Sequence, residues 1–256
     1  VRFPCAVGFR LPGEVSFDGT KDLGMKILTF TGILIGFALT ASAQLFDQTH
    51  AAFNHVLETH VVDGQVDYRG LKAAPKPLAA YLMEAGAVKE SEFSAWTQNE
   101  QLSFLINLYN AATLQLILDH YPVESIKNIG GLFKGPWDQP AASLFGKSIT
   151  LNDLEHGIIR KRYNEPRIHM ALVCAAKSCP PLRSEVYTAD QLDVQLDDQS
   201  RIYLASPDGL VIDRTAGVVR ISSIFKWYGD DFPSVEGFIE KHSGESIKGL
   251  KIRYLN

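Results

Sequence analysis

The 256-residue chain carries 25 Lys and Arg against 29 Asp and Glu, a formal net charge of −4, and 46% of its residues are hydrophobic. That balance excludes a basic nucleic-acid stripe and a polybasic membrane patch, and it supplies enough apolar side chains for one domain with a proper core. No internal repeat or low-complexity segment interrupts it.

In chain order, residues 1–24 show no hydrophobic period, and Met25 to Gln44 reads MKILTFTGILIGFALTASAQ. Lys26 provides a positive start, Ile27 to Leu39 an apolar run, and Ala41-Ser42-Ala43 a small-residue cleavage pattern: a secretory signal peptide. The apolar run falls short of the ~20 residues of a spanning helix, so no stable membrane span is expected after cleavage. Met25 is then the expected initiator, and residues 1–24, with Cys5, an upstream extension outside the exported protein. The mature chain would be residues 44–256, one globular domain, periplasmic or secreted, retaining Cys174 and Cys179.

Phe46 to about His60 reads as a helix with Phe53, Val56 and Leu57 inward. Its His50, His55 and His60 step by five, which scatters them around the helix and argues against a metal cluster there. Asp63-Gly64 turns the chain, Val66 to Tyr68 is extended, and Pro77 opens a helix to Ala85. Residues 98–120 give the strongest helical pattern: Thr97 and Glu100 form a capping box, and apolar residues from Leu102 to Leu118 cover nearly the whole circumference. That helix should be central and buried. Ser143–Ile149 reads as a hairpin turning at Gly146-Lys147. Thr150 with Asp153 caps a helix through Arg162, and Thr188 with Gln191 caps another ending near Leu204. Ile168 to Val173 reads as a short apolar strand. Leu210–Asp213 and Val218–Ile221 form a hairpin, and Ile252–Leu255 a last strand. Helices and hairpins alternate without a βαβ rhythm, which predicts an α+β domain with a mostly antiparallel sheet packed on the buried helix.

Three segments, FLINLYNAATLQLIL from Phe104, IHMALVCAAKSCPPL from Ile168 and SIFKWYGDDF from Ser223, resemble the domain-of-unknown-function family numbered 547. The resemblance covers about Phe53 to Phe232 and implies homology with exported bacterial proteins, with no established activity to carry over.

The chemistry concentrates around His169, Cys174 and Cys179. One reading makes Cys179 or Cys174 a thiolate nucleophile with His169 as base and Asn107 or Asn110 as a polarising amide, acting on a peptide, amide or thioester. On a regular strand, His169 and Cys174 would point to opposite faces, which favours Cys179. The other reading joins the two cysteines in a disulfide, leaving a non-catalytic binding or scaffold domain for a peptide or small molecule. Zinc held by His156, His169 and both cysteines is a further alternative, without the compact CxxC spacing. Papain-like enzymes put their cysteine at the start of the central helix; here that start, Thr97 to Glu100, has none. Asn107 and Asn110, three apart on one helix face, should either tie the helix to loop backbone or orient a base. Glu155-His156 allows an acid/base pair, but adjacent residues diverge by about 100° around a helix, so a solvated Glu155 or one paired with Lys or Arg is expected. The Ser222 to Tyr228 aromatics read as core docking. Gly130 to Trp137 lacks the ending of a phosphate-binding loop, so no cofactor is expected.

Overall fold

The computed structural model describes residues 45–123, 125–131, 134–174 and 179–255. The signal-peptide segment, residues 1–24 and Cys5 lie outside the described residues, as do Leu132 and Phe133 of the glycine-rich loop and residues 175–178. Residues 44–256 fold as one compact unit.

The first helix, α1, is Ala51–His60 with Phe53, Val56 and Leu57 buried as its spacing predicts. A two-residue hairpin, β1 Val61–Val62 and β2 Gln65–Val66, leads into α2 Tyr68–Ala73, α3 Lys76–Ala87 and α4 Glu90–Ala95. The fifth helix, α5, is Gln98–His120, and its capping box is formed in both directions between Thr97 and Glu100. Its buried residues run around the whole helix, from Leu102 to Leu118. A helix without a solvent face must be surrounded. Here α2, α3 and the hairpin β3 Pro140–Leu144 and β4 Lys147–Thr150 pack near it.

The next helical segment departs from α geometry. Thr150 Oγ1 accepts from the Asp153 amide at 2.9 Å, as expected of the cap. Asp153–Ile159 is then a π-helix, and α6 Arg160–Arg162 continues it. After a short turn, α7 Ile168–Ala171, comes α8, Leu192–Ala205, followed by β5 Leu210–Asp213, β6 Val218–Ile221, α9 Ile224–Trp227, α10 Val235–Ser243 and β7 Lys251–Tyr254. The helix α8 starts later than the Thr188–Gln191 cap predicts, because the Thr188 amide donates instead to Gln195 Oε1.

The architecture is α+β. Instead of one sheet, the described residues form three small ones: two hairpins, β1–β2 and β3–β4, and β5–β6–β7. The β6–β7 pairing is parallel and the other three are antiparallel. The reduced sheet has a local cause. The apolar run expected as a strand from Ile168 to Val173 is a single helical turn, α7, Ile168–Ala171. The amides of Ile168 and His169 donate to the carbonyls of Glu165 and Pro166, which starts the turn. A short apolar run fits a buried strand or a buried helical turn equally well, and packing decides. Ile168 and Ala171, three apart, enter the main core with α5. Met170 enters a second core under the three-stranded sheet, with Tyr203, Val219 and Phe225. The turn therefore stitches two cores together, and His169 lies where they meet. Among the described residues no helix is long and apolar enough to cross a membrane.

Candidate functional site

The second motif enters the site through the amides of α5. Asn110 Nδ2 donates to Ala171 O at 3.0 Å, and its Oδ1 accepts from the Val173 amide at 3.0 Å. Asn107 makes the same two-way bond to Tyr187, donating at 2.7 Å and accepting at 3.0 Å. Both side chains are buried and spend both ends of their amides on backbone. Neither lines the cleft described next; their hydrogen bonds tie the helix to backbone.

A cleft of about 570 Å³ opens beside α7. Tyr109 of α5, Glu155 and His156 of the π-helix, and His169 form its polar wall. Trp137, Trp227 and Tyr228 supply aromatic surface, and Cys174 and Cys179 complete another side. The conflict foreseen between His169 and Cys174 on opposite faces disappears with the strand, since both line this one cleft. Glu155 and His156 also converge: the π-helical turn brings His156 Nδ1 to 4.0 Å from Glu155 Oε1. Glu155 is buried and accepts from the Tyr109 hydroxyl at 3.2 Å. Burial and then the charge of Glu155 hold the Tyr109 and Tyr228 hydroxyls above the ordinary phenol range, so both stay protonated donors at neutral pH.

His169 is oriented by a group the sequence reading missed. Its Nε2 lies 2.7 Å from Asp231 Oδ2. A carboxylate accepts, so Nε2 carries the proton and Nδ1 is left as the basic nitrogen. Arg160 grips the same carboxylate bidentately, Nε to Oδ2 at 2.6 Å and Nη2 to Oδ1 at 2.9 Å. Its third nitrogen, Nη1, donates to His156 Nδ1 at 2.9 Å. The Tyr228 ring stacks on His169 with centroids 4.0 Å apart. Burial lowers the His169 pKa below the ordinary imidazole value, and the Asp231 hydrogen bond partly restores it. The Arg160 bond, with help from His169, keeps the Asp231 carboxyl below the usual range. The imidazole is thus neutral, oriented and basic at one nitrogen. Asp231 stands 62 residues from His169, and the only trace of it in the sequence was the Asp230-Asp231 pair inside SIFKWYGDDF.

Cys174 and Cys179 are bonded to each other, with Cα atoms 6.0 Å apart. No free thiolate faces His169 in this state, and the sulfurs are not available to zinc. Among the described residues no group of three or more His, Cys, Asp or Glu is placed to hold a metal ion. A more open groove of about 650 Å³ between Arg201, Leu204, Ile212 and His242 lies away from this chemistry, and its Arg214 is already paired with Glu245.

Residues 93–204 match the model of a family described as a protein of unknown function, DUF547. Over that stretch the chain is similar to the DUF547 family. The match includes α5 with its two asparagines, Glu155, His156, Arg160, His169 and both cysteines; Trp227, Tyr228 and Asp231 fall beyond it. No curated protein and no solved structure matches the chain. The DUF547 description carries no reaction, so the chemistry rests on the geometry of the cleft.

Proposed function

We propose that this protein is an exported binding domain that takes a peptide or small-molecule ligand in the cleft at His169. The signal-like segment at Met25–Ala43 and the disulfide support export. The observation that carries the reading is the composition of the cleft: aromatic surface from Trp137, Trp227 and Tyr228 around convergent Glu155, His156 and His169, in about 570 Å³. Ligand sites of small molecules share that size and mixture. With Cys174 bonded to Cys179, the oxidised cleft offers hydrogen bonds and stacking and no thiol nucleophile.

Two of the three tryptophans, Trp137 and Trp227, line the cleft, so a fragment and peptide screen read by tryptophan fluorescence reports on it directly. Hits should lose their fluorescence response in Trp227→Ala, whose side chain is 69% exposed, so that its removal opens no core cavity. Hits that bind the variant unchanged would place the ligand elsewhere and remove this reading.

A second reading, a thiol-dependent hydrolase or transferase on a peptide, amide or thioester, is favoured by one observation: His169, oriented by Asp231, shares the cleft with both sulfurs. It requires reduced protein. Thiols counted before and after mild reduction, followed by an assay of thioester and amide cleavage, test it. Reduced protein without turnover would eliminate it.

A further inference from the structure

We propose that the Cys174–Cys179 disulfide is exchangeable: it oxidises a dithiol seated in the cleft and is itself reduced, with His169 as the proton acceptor. The proposal rests on the cleft being the ligand site and names the ligand class, a peptide or small molecule bearing two thiols.

Three observations carry it. Both cysteines line the cleft and are partly exposed, so an incoming thiol can reach a sulfur. A disulfide that serves only as a staple is more commonly shielded from solvent, and exposed ones are the labile class. Second, both flanks of the disulfide are held without it. On one flank Asn110 fixes Ala171 and Val173; on the other, Gln199 Nε2 donates to Pro181 O at 2.6 Å, and Leu182 is buried. Opening the sulfur–sulfur bond therefore leaves both flanks anchored and the cores in place. Third, the same cleft holds an imidazole that Asp231 keeps basic at Nδ1. Exchange is driven by thiolate, and a free thiol with an ordinary pKa of about 8.5 is mostly protonated at pH 7.

The step balances as follows. His169 takes the proton of the first substrate thiol. The thiolate attacks one protein sulfur, forming a mixed disulfide and breaking the Cys174–Cys179 bond, and the departing sulfur recovers the proton from the imidazolium. The second substrate thiol, deprotonated in turn, attacks the substrate sulfur of the mixed disulfide and expels the second protein sulfur, which is protonated. Two electrons and two protons pass to the protein, and the substrate leaves as a disulfide. A small disulfide such as oxidised glutathione returns the protein to its starting state.

The test uses the oxidised full-length chain with dithiothreitol and with a reduced two-cysteine peptide, following thiol loss and far-ultraviolet circular dichroism together. Exchange at millimolar dithiol with unchanged secondary structure, and full recovery with oxidised glutathione, is the expected result. His169→Ala should slow exchange at least tenfold at pH 7 and approach the wild-type rate near pH 9, where the thiol ionises unaided; a merely structural role would leave the pH profile unmoved. Should that variant not fold, Asp231→Asn gives a weaker version of the same displaced profile. A disulfide that resists dithiol until the protein is unfolded overturns the proposal, whatever the cleft binds. Trp227→Ala separates the two readings: exchange with the peptide slowed more than exchange with dithiothreitol, each against the wild type, supports both. Peptide exchange slowed no more than dithiothreitol exchange would sink the cleft as ligand site and with it the claim of a seated dithiol.

Discussion

At the scale of single residues, the site depends on side chains that hold others in place. Asn110 satisfies one carbonyl and one amide on the segment that runs from His169 to Cys174. Asn110→Ala would leave both buried backbone groups unpaired, at a cost of about 1–3 kcal/mol for each. We expect urea denaturation to show a loss of about 2–6 kcal/mol for Asn110→Ala, and the cleft fluorescence to shift with it. Asp231→Asn tests the orienting carboxylate. It keeps the size of the side chain but removes the charge that Arg160 and His169 share, so a loss of about 1.5–3 kcal/mol is expected. Nitrogen NMR of the imidazole is the sharper check: the wild type should show the Nε2–H tautomer of His169, and the variant a mixture. The asparagines were legible in the sequence because two amides on one face of an apolar helix must find partners. Asp231 was not, because nothing in local spacing connects residue 231 to residue 169.

At the scale of elements, α5 was legible from end to end and α7 was not, for reasons that can be stated physically. The capping box at Thr97 and Glu100 fixes where α5 begins, and twenty-three residues, Gln98–His120, of sustained helical pattern leave little alternative. In contrast, Ile168–Ala171 is one turn, too short to show a period, and what settles it is a split destination: Met170 in one core, Ile168 and Ala171 in the other. A strand would also have alternated its side chains, putting Ile168 and Ala171 on opposite faces. The π-helical stretch was equally hidden, since Thr150 and Asp153 announce a helix but not its pitch. For α5 the relative importance of cap and packing can be measured. Thr97→Ala removes the side chain that accepts from the Glu100 amide and should cost about 1 kcal/mol. Leu105→Ala, at a fully buried position, should cost about 2–5 kcal/mol. Chevron or equilibrium urea data giving the cap the larger loss would contradict a helix held chiefly by its surroundings.

At the scale of the whole molecule, two features set how stability responds to conditions. The disulfide spans a sequence separation of only five residues, so the loop-entropy relation gives about 2 kcal/mol of stabilisation, small beside the burial of two cores. The doubly substituted Cys174→Ser, Cys179→Ser chain should therefore fold, with a urea midpoint lowered by about that amount and an unchanged slope. Acid should act by a comparable amount, through His50. This residue is buried, its Nδ1 pairs with the Tyr81 hydroxyl at 2.8 Å, and its Nε2 has no hydrogen-bond partner among the described residues. Burial pushes its pKa down to about 4, against partial recovery from the Asp47 charge. The folded state thus resists a proton that the unfolded state takes up near an ordinary imidazole pKa of about 6.5. The resulting stabilisation is complete above pH 6.5, declines as pH falls, and levels off below about 4, because only between the two values does the unfolded chain hold more protons. Burial lowers His169 and His242 in the same direction, so they add to the effect. From pH 7.5 to pH 5 the His50 contribution amounts to about 2 kcal/mol. Urea unfolding at the two values should show at least that loss in the wild type. In His50→Gln, which cannot titrate, the loss should shrink by about the same 2 kcal/mol; an identical pH slope in both proteins would mean that the proton is taken up elsewhere.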